Sequence, residues 1–131
     1  MQVYTITKDF TFSAAHRLEG LIEGHKCARM HGHNYVVRVE LSSERLNEAG
    51  FVVDYGDLSP FGEWIDSTLD HRCLNEVFDF QPSAELMAEY LVEVLRICCR
   101  LPNTCTVRVG VSETPKVWAY FAGPATISKV N

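Results

Sequence analysis

The chain has 131 residues, a hydrophobic share of 47%, a charged share of 22% and a formal net charge of −5. These values indicate one globular domain over residues 1–131, and the negative charge without a Lys/Arg cluster disfavours nucleic-acid binding as the main function. No apolar run approaches the roughly 20 residues of a membrane-spanning helix, and the N-terminus lacks a secretory signal pattern, so the sequence predicts a cytoplasmic protein without a membrane partner.

Residues 3–16 alternate between apolar and polar side chains, which predicts a half-buried strand. His16 stands at the end of the apolar face of this strand. A single histidine at such a place is most often a core residue with a satisfied hydrogen bond. His16 alone therefore does not define a site.

The stretch from Cys27 to Tyr35 contains several residues that could bind a metal ion or take part in catalysis. His31 and His33 are two residues apart at the start of an alternating run, so a strand would point both imidazoles to the apolar face that also carries Tyr35. If this strand pairs antiparallel with the first, His16 meets the pair across the loop 17–30. Three imidazoles on one wall suit a zinc ion with an open coordination position.

The five cysteines are an odd number, which argues against a disulfide framework in a chain without a secretory signal. Cys98 and Cys99 adjoin a predicted helix and are expected to be small buried residues. Cys73 and Cys105 have no partner motif. Cys27 is the one cysteine that stands among other chemistry-bearing residues.

Two helices are predicted in the middle of the chain. The first is expected to begin at Asp57 or Ser59, either of which could cap it, and Asp70 and His71 follow directly at its end. Ser83 is the expected N-cap of the second. The apolar face of this second helix is regular and predicts core packing; it consists of Met87, Tyr90, Leu91, Val94, Leu95 and Cys98.

The C-terminal part predicts two more strands, over residues 104–112 and 117–122. Glu113 has the same parity as the valines of the third strand, and a carboxylate on an apolar face is costly without a partner. The alternative is a strand that ends at Ser112 and a solvated Glu113. The order ββααββ predicts an α+β fold in which a four-stranded antiparallel sheet carries both helices on one face, and its open edges predict an oligomer.

Six motifs, in order and spacing, resemble the 6-pyruvoyltetrahydropterin synthase family, most closely its 6-carboxy-5,6,7,8-tetrahydropterin synthase branch in queuosine biosynthesis. The resemblance runs from about residue 8 to residue 121. A His-Gly-His sequence alone is common, whereas the ordered combination is specific. The motifs are Phe12-Ser-Ala-Ala-His16, Cys27-x3-His31-Gly-His33-Asn-Tyr35, Val53-Asp-Tyr-Gly-Asp-Leu58, Leu69-Asp-His71-x2-Leu-Asn75, Pro82-Ser-Ala-Glu85 and Ser112-Glu113-Thr-Pro115.

The resemblance implies the tunnelling fold, in which subunits join into a barrel and stack as a homohexamer with active sites between subunits. It implies that Cys27 is the catalytic base, that Asp70 and His71 form the relay that tunes it, and that Glu113 is a catalytic-site carboxylate that anchors the pterin ring. The residues that match the Zn²⁺ ligands are His16, His31 and His33.

The implied reaction converts 7,8-dihydroneopterin triphosphate to 6-carboxy-5,6,7,8-tetrahydropterin, acetaldehyde and triphosphate. The three-residue spacer between Cys27 and His31 is shorter than the spacer typical of the pyruvoyl-forming enzymes of animals, and a cysteine argues against branches that carry glutamate there. Two alternatives stay open: a 6-pyruvoyltetrahydropterin synthase that eliminates triphosphate, and a structural zinc module in which Cys27 is the fourth ligand. The cationic residues available for the triphosphate are Lys8, Arg17, Lys26, Arg29 and Lys116.

Overall fold

The computed structural model describes residues 2–126. Within these residues the chain forms five strands and three helices, with two 3₁₀ turns at Lys26–Ala28 and Tyr55–Leu58. The strands are β1 (Tyr4–His16), β2 (His31–Ser43), β3 (Arg72–Cys73), β4 (Thr106–Thr114) and β5 (Val117–Pro124), and the helices are α1 (Ser59–Thr68), α2 (Leu74–Val77) and α3 (Ala84–Cys98). No helix in this part of the chain is long and apolar enough to cross a membrane.

All strands form one sheet in the order β3-β1-β2-β4-β5. The predicted α+β class and the four antiparallel strands are confirmed, and α1 and α3 pack on one face of the sheet. The two-residue strand β3 was not predicted. It pairs parallel with β1, with Arg72 opposite Ala14 and Cys73 opposite Ala15, and two residues are too few to show a strand periodicity.

The core lies between the sheet and the helices. Side chains of β2 alternate, so Tyr35, Val37 and Val39 are at most 1% exposed while their neighbours face away. Four residues of the predicted apolar face of α3 are buried, namely Met87, Leu91, Val94 and Leu95. The prediction is wrong for Tyr90, which is 41% exposed, and Cys98 at the end of the helix is only half-buried. The apolar face of β2, and that of β1 from Phe10 onwards, therefore continues to the strand ends that carry the histidines.

The two long helices begin in different ways. Ser83 caps α3 as predicted, because its hydroxyl accepts a hydrogen bond from the Leu86 N–H at 3.2 Å. The predicted cap of α1 by Asp57 or Ser59 is wrong. A 3₁₀ turn precedes α1 directly, and the cap lies before that turn, where Asp54 accepts from the Gly56 N–H at 2.8 Å.

The sheet face away from the helices carries paired charges. Arg38 forms an ion pair with Asp9 and lies 4.4 Å from the ring centroid of Trp118. Arg108 pairs with Glu40 in the same way and lies 3.8 Å from the ring centroid of Tyr120. Assembly of this sheet into a barrel remains a prediction.

Candidate metal centre and active site

Three imidazoles converge where β1 and β2 meet the loop 17–30. His16 is the register partner of His31, and His33 is the partner of Ala14. The ring centroids are 4.6 Å apart for His16 and His31, 5.1 Å for His16 and His33, and 4.8 Å for His31 and His33. The structure thus brings together all three histidines that the sequence predicts as metal ligands.

Backbone carbonyls fix the orientation of two of these rings. His16 Nδ1 lies 2.8 Å from the carbonyl of Pro82, and His31 Nδ1 lies 2.7 Å from the carbonyl of Arg29. A carbonyl only accepts hydrogen bonds, so each Nδ1 carries a proton and each Nε2 is left for the cluster. This is the arrangement in which protein groups orient metal-ligating histidines.

The Nε2 atoms of His16 and His31 lie 3.0 Å apart. If both rings are neutral, two lone pairs face each other at this distance. Such a contact requires a shared cation, either a proton or a metal ion. His33 Nε2 is also buried and makes no hydrogen bond, which leaves a further polar atom unsatisfied at the same point.

Glu113 completes the cluster from β4. This strand continues to Thr114, so the alternative of a strand ending at Ser112 with a solvated Glu113 is wrong. Glu113 Oε2 lies 3.3 Å from His16 Nε2 and 3.2 Å from His33 Nε2. His16, His31, His33 and Glu113 each offer one ligand atom, and these four atoms all lie within 4.8 Å of one another.

The cluster shifts the protonation of its own members. Burial lowers the pKa of His33, and the charges of His16 and His31 lower it further, against the opposing effect of Glu113. Contact with His16 in its protonated form lowers the pKa of Glu113, and the charge of His33 adds to this effect, although burial opposes it. Both shifts favour the unprotonated forms, which are the forms that bind a metal ion.

The four residues fit a divalent transition metal. Three imidazole nitrogens and one carboxylate oxygen are the donor types that zinc takes. Tetrahedral bonds of about 2.05 Å would separate neighbouring ligand atoms by about 3.3 Å, and the closest separations here are 3.0, 3.2 and 3.3 Å. The residues present are therefore compatible with a metal ion at their centre.

Cys27 lies apart from this cluster. It sits in the 3₁₀ turn Lys26–Ala28, is half-buried, and is absent from the group of mutually close ligand atoms found within residues 2–126. Its carbonyl accepts a hydrogen bond from the Leu18 N–H at 2.9 Å. This placement gives no support to Cys27 as a fourth metal ligand.

Asp70 and His71 follow α1 at the edge formed by β3. Asp70 Oδ1 accepts a hydrogen bond from the Ser13 N–H at 2.9 Å, and Asp70 Oδ2 lies 3.7 Å from His71 Nε2. His71 has a φ of 58°, a left-handed conformation that is uncommon outside glycine. Its side chain is 85% exposed and lies outside the metal cluster.

The site also contains Tyr35, which was not among the site residues predicted from the sequence. Tyr35 is 1% exposed, and its hydroxyl lies 3.2 Å from His16 Nδ1. Burial raises the pKa of Tyr35, with a further contribution from the charge of Glu113, so the hydroxyl stays protonated. The sequence feature that could have indicated its place in the site is its position in β2, where Tyr35 lies on the same strand face as His31 and His33.

The chain belongs to the 6-pyruvoyl tetrahydropterin synthase family, whose sequence model matches residues 5–124. The 6-carboxy-5,6,7,8-tetrahydropterin synthase of Bacillus subtilis is 30% identical over 128 residues, which cover 90% of this chain and 84% of that protein. The protein of the same name from Synechocystis is 36% identical over 95 residues, which cover 68% of this chain and 72% of that one.

Solved structures agree with this assignment. The 6-pyruvoyl tetrahydropterin synthase of Caenorhabditis elegans has a TM-score of 0.79 and 32% identity, with 94% of this chain and 97% of that chain covered. The Plasmodium vivax 6-pyruvoyltetrahydropterin synthase, at 20% identity, shares the fold with a TM-score of 0.75 over 95% of this chain and 99% of its own. The chain is thus a member of an enzyme family of tetrahydropterin synthases.

The metal-free protein is expected to lose stability as the pH falls below 6.5, the ordinary pKa of histidine. The pKa of His33 is lowered in the folded state, so the unfolded chain binds more protons in this window and acid favours unfolding. Glu113 has the same effect on stability at lower pH. Its stabilising contribution is present above pH 4.5, the ordinary pKa of the group, and is lost as the pH falls through its lowered pKa in the folded protein.

Thermal unfolding midpoints of the metal-free protein from about pH 7.5 to about pH 5 test this expectation. His33→Gln is the matched control, and its midpoint should fall less steeply over the same range. Equal slopes for the two proteins would contradict the role assigned to His33.

Proposed function

We propose that this chain is a zinc-dependent 6-carboxy-5,6,7,8-tetrahydropterin synthase, a carbon–carbon lyase of queuosine biosynthesis. It would convert 7,8-dihydroneopterin triphosphate and one water molecule into 6-carboxy-5,6,7,8-tetrahydropterin, acetaldehyde and triphosphate. The observation that carries the proposal is the convergence of the three histidine Nε2 atoms, with Cys27 outside the cluster. The names of the Bacillus subtilis and Synechocystis relatives support the choice of product.

The three histidines would hold the zinc ion, and the carbonyls of Pro82 and Arg29 would keep His16 and His31 in the tautomer that binding requires. When bound, zinc would supply Lewis acidity that lowers the pKa of the substrate side-chain hydroxyls. Glu113 would leave the histidines for the substrate, so that three protein ligands remain and one coordination position is open.

Cys27 would carry out the proton transfers at C1′ and C2′ of the substrate side chain that precede carbon–carbon cleavage. A thiol is suited to this work because a neighbouring cation can lower its pKa towards neutrality. The half-buried position of Cys27 is compatible with contact to a bound substrate. Its absence from the metal cluster leaves the thiol available as a base.

Asp70 and His71 would form the relay that supports Cys27. The hydrogen bond from Ser13 holds one oxygen of Asp70, and the other oxygen lies towards His71 Nε2, so the carboxylate can orient the imidazole. An 85% exposed imidazole is poorly placed for proton transfer in a single chain. This exposure supports a site that a neighbouring subunit covers, as the proposed cytoplasmic homohexamer would provide.

Glu113 would anchor the pterin ring by accepting hydrogen bonds from its 2-amino group and N3–H. The residue borders a cavity of about 280 Å³ that is also lined by Val111 and Trp118. In the structure the carboxylate lies against His16 and His33. His16 and His33 would be engaged as zinc ligands, so Glu113 would be available to the ring.

A second candidate is the 6-pyruvoyltetrahydropterin synthase reaction, in which triphosphate is eliminated and the side chain is kept. The similarity to the Caenorhabditis elegans enzyme favours it. Both reactions would use the same zinc site and the same proton-transfer residues. The structural zinc module is less well supported, since it requires Cys27 as a ligand.

Product identification tests the proposal. Purified protein of measured zinc content is incubated anaerobically with 7,8-dihydroneopterin triphosphate, and the products are identified by mass spectrometry. We expect 6-carboxy-5,6,7,8-tetrahydropterin, and none after the zinc has been removed with a chelator. A pyruvoyl product would assign the second candidate, and no turnover by the zinc-loaded protein would contradict both.

A further inference from the structure

The backbone around Cys27 is held by a side chain that the proposed reaction does not use. His25 is the N-cap of the 3₁₀ turn Lys26–Ala28, and its Nδ1 accepts a hydrogen bond from the Cys27 N–H at 3.0 Å. The same spacing of two residues occurs where Asp54 caps the turn Tyr55–Leu58, with the Gly56 N–H as donor at 2.8 Å. His25 therefore caps the turn that contains Cys27, a task that Asp or Asn commonly performs in other turns.

A second anchor acts on the carbonyl side of Cys27. The Leu18 N–H donates to this carbonyl at 2.9 Å. The side-chain amide of Asn75 binds both backbone groups of the neighbouring Arg17. Its Oδ1 accepts a hydrogen bond from the Arg17 N–H at 2.9 Å, and its Nδ2 donates one to the Arg17 carbonyl at 3.0 Å. The Cys27 peptide is thus fixed to the start of the loop, and the start of the loop is fixed to α2.

We propose that His25 and Asn75 are positioning residues that place the Cys27 thiol for proton transfer. The inference deepens the proposed function and rests on it for the role of the thiol. Neither residue belongs to the metal cluster, so their contribution would be separable from metal binding. Asn75 is also the last residue of the motif that begins at Leu69, in which the proposed reaction uses Asp70 and His71 but not Asn75.

The need for such anchors follows from the loop itself. Residues 17–30 contain one 3₁₀ turn and no other regular element, and most of their side chains are exposed. A segment with so few buried contacts opens locally at low cost in free energy. A reacting group on it must nonetheless be held to within about 1 Å, since a displacement of that size can cost about 100-fold in rate.

Four variants separate positioning from other roles. His25→Ala removes the cap, whereas His25→Asn keeps an acceptor that can reach the same N–H. Asn75→Ala removes the second anchor. Asp54→Ala is the matched control, because it removes an equivalent cap from the other 3₁₀ turn. Each zinc-loaded protein is assayed for kcat and KM, for zinc content, and for the rate of Cys27 alkylation by iodoacetamide, followed by peptide mass spectrometry.

We expect His25→Ala and Asn75→Ala to lower kcat by roughly 10- to 100-fold, with zinc content unchanged and Cys27 alkylated several-fold faster because the turn opens more often. His25→Asn should restore kcat and alkylation to within about threefold of the wild type. Asp54→Ala should leave the alkylation rate of Cys27 unchanged.

Three results would overturn the inference. One is a His25→Asn protein as impaired as His25→Ala, which would mean that the cap is not what His25 supplies. Another is wild-type kcat and alkylation in both alanine variants. The third is an equal increase of Cys27 alkylation in Asp54→Ala, which would indicate general loosening. If the wild type itself has no turnover, the proposed function fails, while the alkylation rates still test the anchoring of Cys27.

Discussion

The His31→Ala protein is expected to lose bound zinc and, with it, all detectable synthase activity. His31 Nε2 lies 3.0 Å from His16 Nε2, and the Arg29 carbonyl holds its ring in the binding tautomer. Removing His31 leaves two imidazoles, and because the proposed function assigns Glu113 to the substrate, fewer than the three or four protein ligands that zinc sites use would remain. The affinity for zinc should fall by more than about 100-fold. Loss of a group that only orients a ligand already costs up to about 100-fold, and loss of the ligand itself should cost more.

Zinc per chain after dialysis, measured by mass spectrometry of the metal, reports this loss directly. His71→Ala is the matched control, because it also removes an imidazole but one that lies outside the cluster. This control should keep its zinc. A His31→Ala protein that retains one zinc per chain and is folded by circular dichroism would contradict the three-histidine site.

The Cys27→Ala protein is expected to keep its zinc and lose turnover. The thiol lies outside the metal cluster, so its removal should leave the affinity for zinc within about threefold of the wild type, well below the cost of losing a ligand. Loss of a positioned general base typically costs about 100- to 10,000-fold in rate. Parallel measurements of zinc content and of kcat distinguish the two effects.

Cys98→Ala is the control for Cys27→Ala. Cys98 is also half-buried, burial raises its pKa, and it lies at the end of α3. This variant should retain both zinc and turnover. Loss of zinc from Cys27→Ala would instead favour a structural metal site with Cys27 as ligand, and full activity of Cys27→Ala would exclude the thiol as the base.

Much of the fold follows from side-chain periodicity. Alternation with a period of two marks β1, β2 and the first part of β4, because one face of the sheet is buried under helices, whereas β5 is a continuous apolar run. The same rule places His31 and His33 on the buried face, and antiparallel pairing brings His16 opposite His31. The three-histidine cluster was therefore predictable from residues in two strands and one connecting loop.

Other features depend on backbone geometry that side-chain identity does not encode. The orienting partners of His16 and His31 are carbonyls, which every residue possesses. Neighbouring residues on a regular element point apart, yet Asp70 and His71 approach to 3.7 Å because His71 adopts a left-handed conformation. The contact of Glu113 with the histidines likewise depends on how far β4 continues.

The ratio of acetaldehyde to triphosphate released from 7,8-dihydroneopterin triphosphate tests the central claim most directly. Both products are quantified in one anaerobic reaction of the zinc-loaded protein, with the Cys27→Ala protein alongside. The proposed carbon–carbon cleavage predicts one acetaldehyde for each triphosphate, and neither product from the variant. Release of triphosphate without acetaldehyde would contradict the claim and assign the pyruvoyl-forming reaction.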